Sequence, residues 1–161
     1  MRRQLRWVVI GVGALAVASA PRLPAQPASP AIYMSEADLT ATLKEAAKSA
    51  PAMHTAPVKN ADHYRINVVR RTTAQGAIAH PAGTEVHHIV DGSGTLVTGG
   101  TVVRSTAAGA RGSAGATIDG GVSRHVAKGD VILIPAGTPH WYKDLDGPIT
   151  YLEVRFDLPR Q

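Results

Sequence analysis

Cysteine is absent from all 161 residues. That one absence excludes disulfides, thiolate metal sites, thiol nucleophiles and a lipid-modified N-terminal cysteine. Stability must come from a packed core or a bound ion. Aromatic residues make up only 4% of the chain, which argues against the stacking platforms that sugar-binding sites favour. An excess of basic charge in the folded part is also missing. The net charge is +5, but Arg2, Arg3, Arg6 and Arg22 all lie before residue 26, leaving 13 basic against 12 acidic residues beyond it. A nucleic-acid-binding domain needs its positive patch in the folded part, so no nucleic-acid partner is expected.

What is present suits one domain rich in turns: 16 glycines and 11 prolines in a chain long enough for a single core. "MRRQLR" followed by "WVVIGVGALAVA" has the order of a secretory signal, a positive end before an apolar stretch and small residues. The apolar run is short of the roughly 20 residues that span a bilayer. A signal peptide over 1–25 is expected, cut after Ala20 or near Ala25, giving a periplasmic or secreted product with no membrane contact. Arg2-Arg3 faintly suggests twin-arginine export, without the small polar residue that usually precedes the pair. Pro21, Pro24, Pro27 and Pro30 recur at the three-residue period of polyproline II. Residues 26–34 therefore read as an extended linker.

"SEADLTATLKEAAKSA", residues 35–50, predicts the one clear helix. Ser35 and Asp38 form a capping box, Leu39, Leu43, Ala46 and Ala47 a narrow apolar stripe, and Pro51 a stop. Such a helix should lie against a sheet. From Val58 the period falls to two in "HYRINVVRRT", and "TLVTGGTVV", "DVILIP" and "ITYLEVRF" are further strands. Ser105 to Gly121, rich in small residues, predicts a long mobile loop. Gly92, Gly94, Gly99 and Gly100 suit hairpins that need positive φ better than a phosphate loop.

Two stretches carry chemistry. In "AIAHPAGTEVHHIVDGSG", four residues separate His80 from Glu85 and six separate Glu85 from Gly92. In "GDVILIPAGTPHWYKD", Gly129, Pro135, Gly137 and His140 follow at intervals of five, one and two residues, with Asp144 beyond. Over roughly residues 60 to 157 the chain resembles the cupin superfamily, whose two signature stretches have this layout. The resemblance implies an all-β fold, a single-domain double-stranded β-helix (jelly-roll) barrel over 58–157 with a short N-terminal helix. It also implies a metal set of His80, Glu85 and His140. The family's first stretch usually has a further histidine where this chain has Ile78, and an aliphatic side chain has no lone pair to offer.

The residue types agree with that set: two imidazoles and one carboxylate with open positions suit first-row divalent ions such as Fe, Mn, Zn or Ni. Residues two apart on a strand share a face, so Glu85 and His87 point together and His88 points away. His87 is then either a replacement metal ligand or a stand-in for an aromatic packing residue. Tyr142, two beyond His140, shares its face and is the candidate substrate-binding residue, with core packing as the alternative. His54, His63 and His125 have no partners at informative spacing, and no serine sits in a nucleophile elbow.

The expectation is an exported, metal-binding cupin that acts on or binds a small organic molecule in the barrel, dioxygenase- or isomerase-like. The alternative is a non-catalytic, metal-free module that binds a small ligand. A homodimer is expected by analogy with small cupins.

Overall fold

The computed structural model describes residues 29–106 and 112–157. The signal peptide expected over 1–25 and the start of the linker lie outside the described residues. No helix among them is long and apolar enough to cross a membrane. The helix and all the strands fall in one compact unit that begins at Ala31.

Helix α1 runs Glu36–Ala46. The Ser35 Oγ accepts a 3.1 Å hydrogen bond from the Asp38 N–H, and its hydroxyl donates to Asp38 Oδ2 at 2.6 Å. The helix stops four residues short of the expected end. Lys48 and Ser49 donate to the carbonyls of Glu45 and Ala46, three residues back, which tightens the last turn. Pro51 also disfavours helical backbone at residue 50. The stripe of Leu39, Leu43, Ala46 and Ala47 is half-buried where α1 meets β1 (Met53–Asn60).

That strand begins five residues earlier than the sequence pattern suggests, because it runs through Pro57. An edge strand can accommodate a proline, which has no N–H to give to a ladder. β1 is an edge strand, and its register slips between Pro57 and Lys59. The other strands are β2 (Tyr64–Arg71), β3 (Thr84–Asp91), β4 (Ser93–Thr98), β5 (Thr101–Val103), β6 (Thr117–Asp119), β7 (Val122–Ala127), β8 (Val131–Ile134), β9 (His140–Leu145) and β10 (Ile149–Phe156). β6 corrects the long loop expected over Ser105 to Gly121: Val102 pairs with Ile118 in a short antiparallel ribbon. The part from 107 to 111 lies outside the described residues.

The strands form a five-stranded sheet, β1-β2-β10-β3-β8, a three-stranded sheet, β7-β4-β9, and the β5-β6 ribbon. Every pairing is antiparallel. The sheets do not close into one ring, so the expected barrel is a jelly roll of facing sheets. Val69, Ile89, Ile149 and Tyr151 of the larger sheet pack on Leu96, Val126 and Tyr142 of the smaller. β10 sits centrally between β2 and β3, although it comes last in the chain. That crossover brings residues from distant parts of the sequence onto one inner face.

Two glycines at the β3–β4 turn work differently. Gly92 has φ +81°, and a Cβ there would lie 2.3 Å from the Pro148 carbonyl oxygen. Gly94, expected to need positive φ, does not have it. Its role is close approach: a Cβ would meet the Asp144 carbonyl oxygen at 2.4 Å, where β4 shifts register against β9.

Candidate metal centre

Strand alternation on β3 places Glu85 and His87 inward, 2% and 1% exposed, and leaves His88 in solvent. His80 lies in the segment before β3. His140 opens β9, directly after the turn that contains Pro135 and Gly137. Backbone bonds stitch these segments together. The Ile78 N–H donates to the His140 carbonyl at 3.0 Å, the His140 N–H returns a bond to Ile78 at 2.8 Å, and the Gly137 N–H donates to the His80 carbonyl at 2.6 Å. Ile78 thus occupies the position of the missing ligand and is paired, backbone to backbone, with a histidine of the cluster.

His80, Glu85 and His140 converge, with one potential ligand atom of each lying within 4.8 Å of the others. His80 Nε2 is 3.4 Å from Glu85 Oε1, and His140 Nε2 is 3.6 Å from Glu85 Oε2. The tautomer of His140 follows from its other nitrogen. Nδ1 is 3.1 Å from the Thr138 carbonyl oxygen, which can only accept, so Nδ1 carries the proton. Burial pushes the His140 pKa down to about 4, so at neutral pH Nε2 presents a bare lone pair. Burial likewise lowers the pKa of His80. For Glu85, burial works upward, but the hydrogen bond from His87 and the neighbouring imidazoles outweigh it and hold the pKa below its usual value. A bare nitrogen therefore faces a carboxylate oxygen, two acceptors with no proton between them. Glu85 Oε1, moreover, is buried without a hydrogen-bond partner. A divalent cation fits this donor set.

His87 is arranged otherwise. Its Nδ1 is 3.1 Å from the Tyr142 hydroxyl and its Nε2 is 3.2 Å from Glu85 Oε2. Burial raises the Tyr142 pKa, so the phenol keeps its proton and donates to Nδ1, while Nε2–H donates to Glu85. His87 falls in a second, overlapping cluster with Glu85 and Glu153, apart from His80 and His140. Tyr142 is 2% exposed and stacks on Tyr151 at 5.2 Å.

Beside these groups lies a cavity of about 530 Å³ whose wall includes His80, Ile78, Glu153, Arg71 and Arg155. Sequence spacing did not single out Glu153, Arg71 or Arg155. Glu153 accepts a 3.0 Å bond from the Asn67 side-chain amide. The Nε of Arg155 is 3.7 Å from Glu85 Oε1. The available signal was period two in "ITYLEVRF": Tyr151, Glu153 and Arg155 share one face of a strand whose other face carries Leu152 and Val154. His54, on β1, is buried away from this site, with Nδ1 unpartnered.

No family model matches the sequence, and neither does any curated protein. Solved structures do match. BH2720 of Bacillus halodurans is 16% identical over 82% of this chain and 86% of its own, with a TM-score of 0.51. HppE in its Fe(II) form is 14% identical over 65% of this chain and 51% of its own, with a TM-score of 0.50. This chain has the cupin fold. The cupin domain of Schizosaccharomyces pombe Cnp3 is also similar, at 12% identity over 66% of this chain and 65% of its own, with a TM-score of 0.47. At such identities the likeness is one of fold. The chain spans about half the length of HppE.

Proposed function

We propose that this cupin is an exported metalloprotein that holds a divalent ion on His80, Glu85 and His140 and acts on a small organic molecule in the adjoining cavity. The observation that carries the reading is the bare His140 Nε2 facing Glu85 Oε2 at 3.6 Å, beside a buried Glu85 Oε1 that has no hydrogen-bond partner. Three protein ligands leave coordination positions open, and two histidines with one carboxylate favour Fe(II), with Mn, Zn and Ni as the other candidates. The Fe(II) carried by HppE, a protein of the same fold, agrees with that preference. The metal would supply Lewis-acid or redox chemistry to a molecule bound at those positions.

The protein's own groups then have distinct tasks. His87 orients Glu85 through Nε2–H, and Tyr142 fixes the His87 tautomer from behind, so Tyr142 acts through His87 and not on the substrate. His80 reaches from the cluster to the cavity wall. Glu153, held by Asn67, is a carboxylate on that wall able to accept a proton from a bound molecule. The apolar N-terminal stretch and its positive end support export, which N-terminal sequencing of the mature protein tests.

The deciding experiment is elemental analysis of the purified protein after loading with each candidate metal. Near-stoichiometric metal is expected, lost in His140→Ala and Glu85→Gln. A wild type as empty as both variants after loading defeats the proposal. Ile78 favours a second reading, a metal-free binding module, which predicts unchanged ligand affinity by calorimetry after the protein has been stripped of metal.

A further inference from the structure

Arg71 is the feature of the cavity that the metal centre leaves unexplained. It closes β2, its side chain faces inward, and it is only 6% exposed. Its Nε donates to the Tyr151 hydroxyl at 3.0 Å, and its Cζ lies 5.1 Å from the centre of the Tyr142 ring. Among the described residues that is the only hydrogen bond of its side chain, and no carboxylate lies within ion-pair distance. Burying a guanidinium without a carboxylate is unfavourable, because aromatic faces and one neutral hydroxyl replace little of the lost hydration. The remaining N–H groups of the fork are unpaired in the wall of the 530 Å³ cavity.

The rest of that wall has the same sign. Arg65 and Arg155 also line it, beside one carboxylate, Glu153, which is already engaged by Asn67; Arg155 faces Glu85 Oε1 at 3.7 Å, which leaves Arg65 and Arg71 without an ion pair among the described residues. Low-dielectric walls of one sign concentrate ions of the other. Apolar and aromatic surface from Val69, Ile78 and Tyr151 completes the lining and suits a carbon skeleton.

We infer that the cavity binds a small organic carboxylate, with its carboxylate paired to the Arg71 fork. The inference rests on the reading of this cavity as the small-molecule site. It assigns that site its substrate class and makes Arg71 the specificity-determining residue. The planar fork matches a carboxylate through two parallel hydrogen bonds, and occupation supplies the counter-charge that the fold withholds. Phosphate shares the oxyanion chemistry, so the test must separate the two.

Metal-free protein at fixed ionic strength is titrated calorimetrically with succinate, inorganic phosphate and chloride. Working without metal keeps the outcome independent of whether the His80–Glu85–His140 cluster binds an ion, which elemental analysis settles separately. Succinate is expected to bind more tightly than phosphate, with chloride showing no saturable binding. Arg71→Met, close in length and uncharged, should weaken succinate binding by at least about tenfold while leaving the urea midpoint unchanged or higher. A purely structural role through Tyr142 and Tyr151 would do the reverse, lowering the midpoint and sparing affinity, and would overturn the proposal. Arg71→Lys, which keeps the charge but not the fork, should fall between wild type and Arg71→Met and serves if the methionine variant does not fold. Absence of saturable succinate binding, equal binding by wild type and Arg71→Met, or tighter binding of phosphate would also overturn it.

Discussion

Glu85 organises the site at the scale of single residues. One buried carboxylate faces Nε2 of His80, His87 and His140 at 3.4, 3.2 and 3.6 Å, but the three imidazoles do not hold equivalent protons. His87 donates to Glu85; His140 cannot, because its proton is on Nδ1. That difference predicts different consequences of substitution. His140→Ala should empty the site, whereas His87→Phe should keep metal but weaken affinity about 10- to 100-fold, as loss of an outer hydrogen bond to a ligand does. Competition with a chelator of known affinity measures both, and equal loss in the two variants would make His87 a ligand. The same geometry sets an acid dependence for the metal-free protein. His140 titrates at about 4 in the fold against 6.5 ordinarily, so between those values the unfolded chain binds more protons than the folded one. Stability should therefore fall as pH drops from 6.5 towards 4, by roughly 3 kcal/mol in all. The lowered pKa of Glu85 acts in the same direction at lower pH. Urea midpoints at pH 7 and 4.5 check the slope, which His140→Phe should flatten.

At the scale of elements, what the sequence revealed depended on whether the deciding contact was local. The Ser35 cap is a contact over three residues, and the helix begins where the motif places it. Ser35→Ala should destabilise by about 1 kcal/mol, measured by chemical denaturation, with no effect on metal content. The inward aim of Glu85 and outward aim of His88 follow from a period of two within one strand, and both were legible. β1 was not legible, because a proline such as Pro57 breaks a central strand but not an edge strand, and only the sheet order shows which it is. Gly92 was read correctly as a turn glycine. Its φ of +81° and the Pro148 carbonyl 2.3 Å from any Cβ predict that Gly92→Ala loses about 2 kcal/mol. A loss near zero would mean that the β3–β4 turn can be rebuilt without cost.

Over the whole molecule, function depends on pairings that join distant parts of the chain. β10 lies between β2 and β3, so Glu153 sits opposite Asn67 on one side and His87 on the other. No motif spacing reports that neighbourhood, which is why the histidine–glutamate cluster was legible and the arginine-lined cavity beside it was not. The same topology would give a bound metal a mechanical consequence. Glu85 belongs to the five-stranded sheet and His140 to the three-stranded one, and these two sheets share no strand. An ion held by both would be a direct tie between them, present only in the folded state. An ion that binds the folded chain alone, at 100 times its dissociation constant, stabilises by about 2.7 kcal/mol. For a domain of this size that raises the melting temperature by about 10 °C. Melting curves across a metal titration should climb logarithmically with free metal and fall back on addition of a chelator. Glu85→Gln should show a much smaller rise with metal, because two neutral imidazoles without the carboxylate hold the ion more weakly. If the wild type also melts without regard to metal, the two sheets are held by their apolar core alone and the ion has no place in the fold.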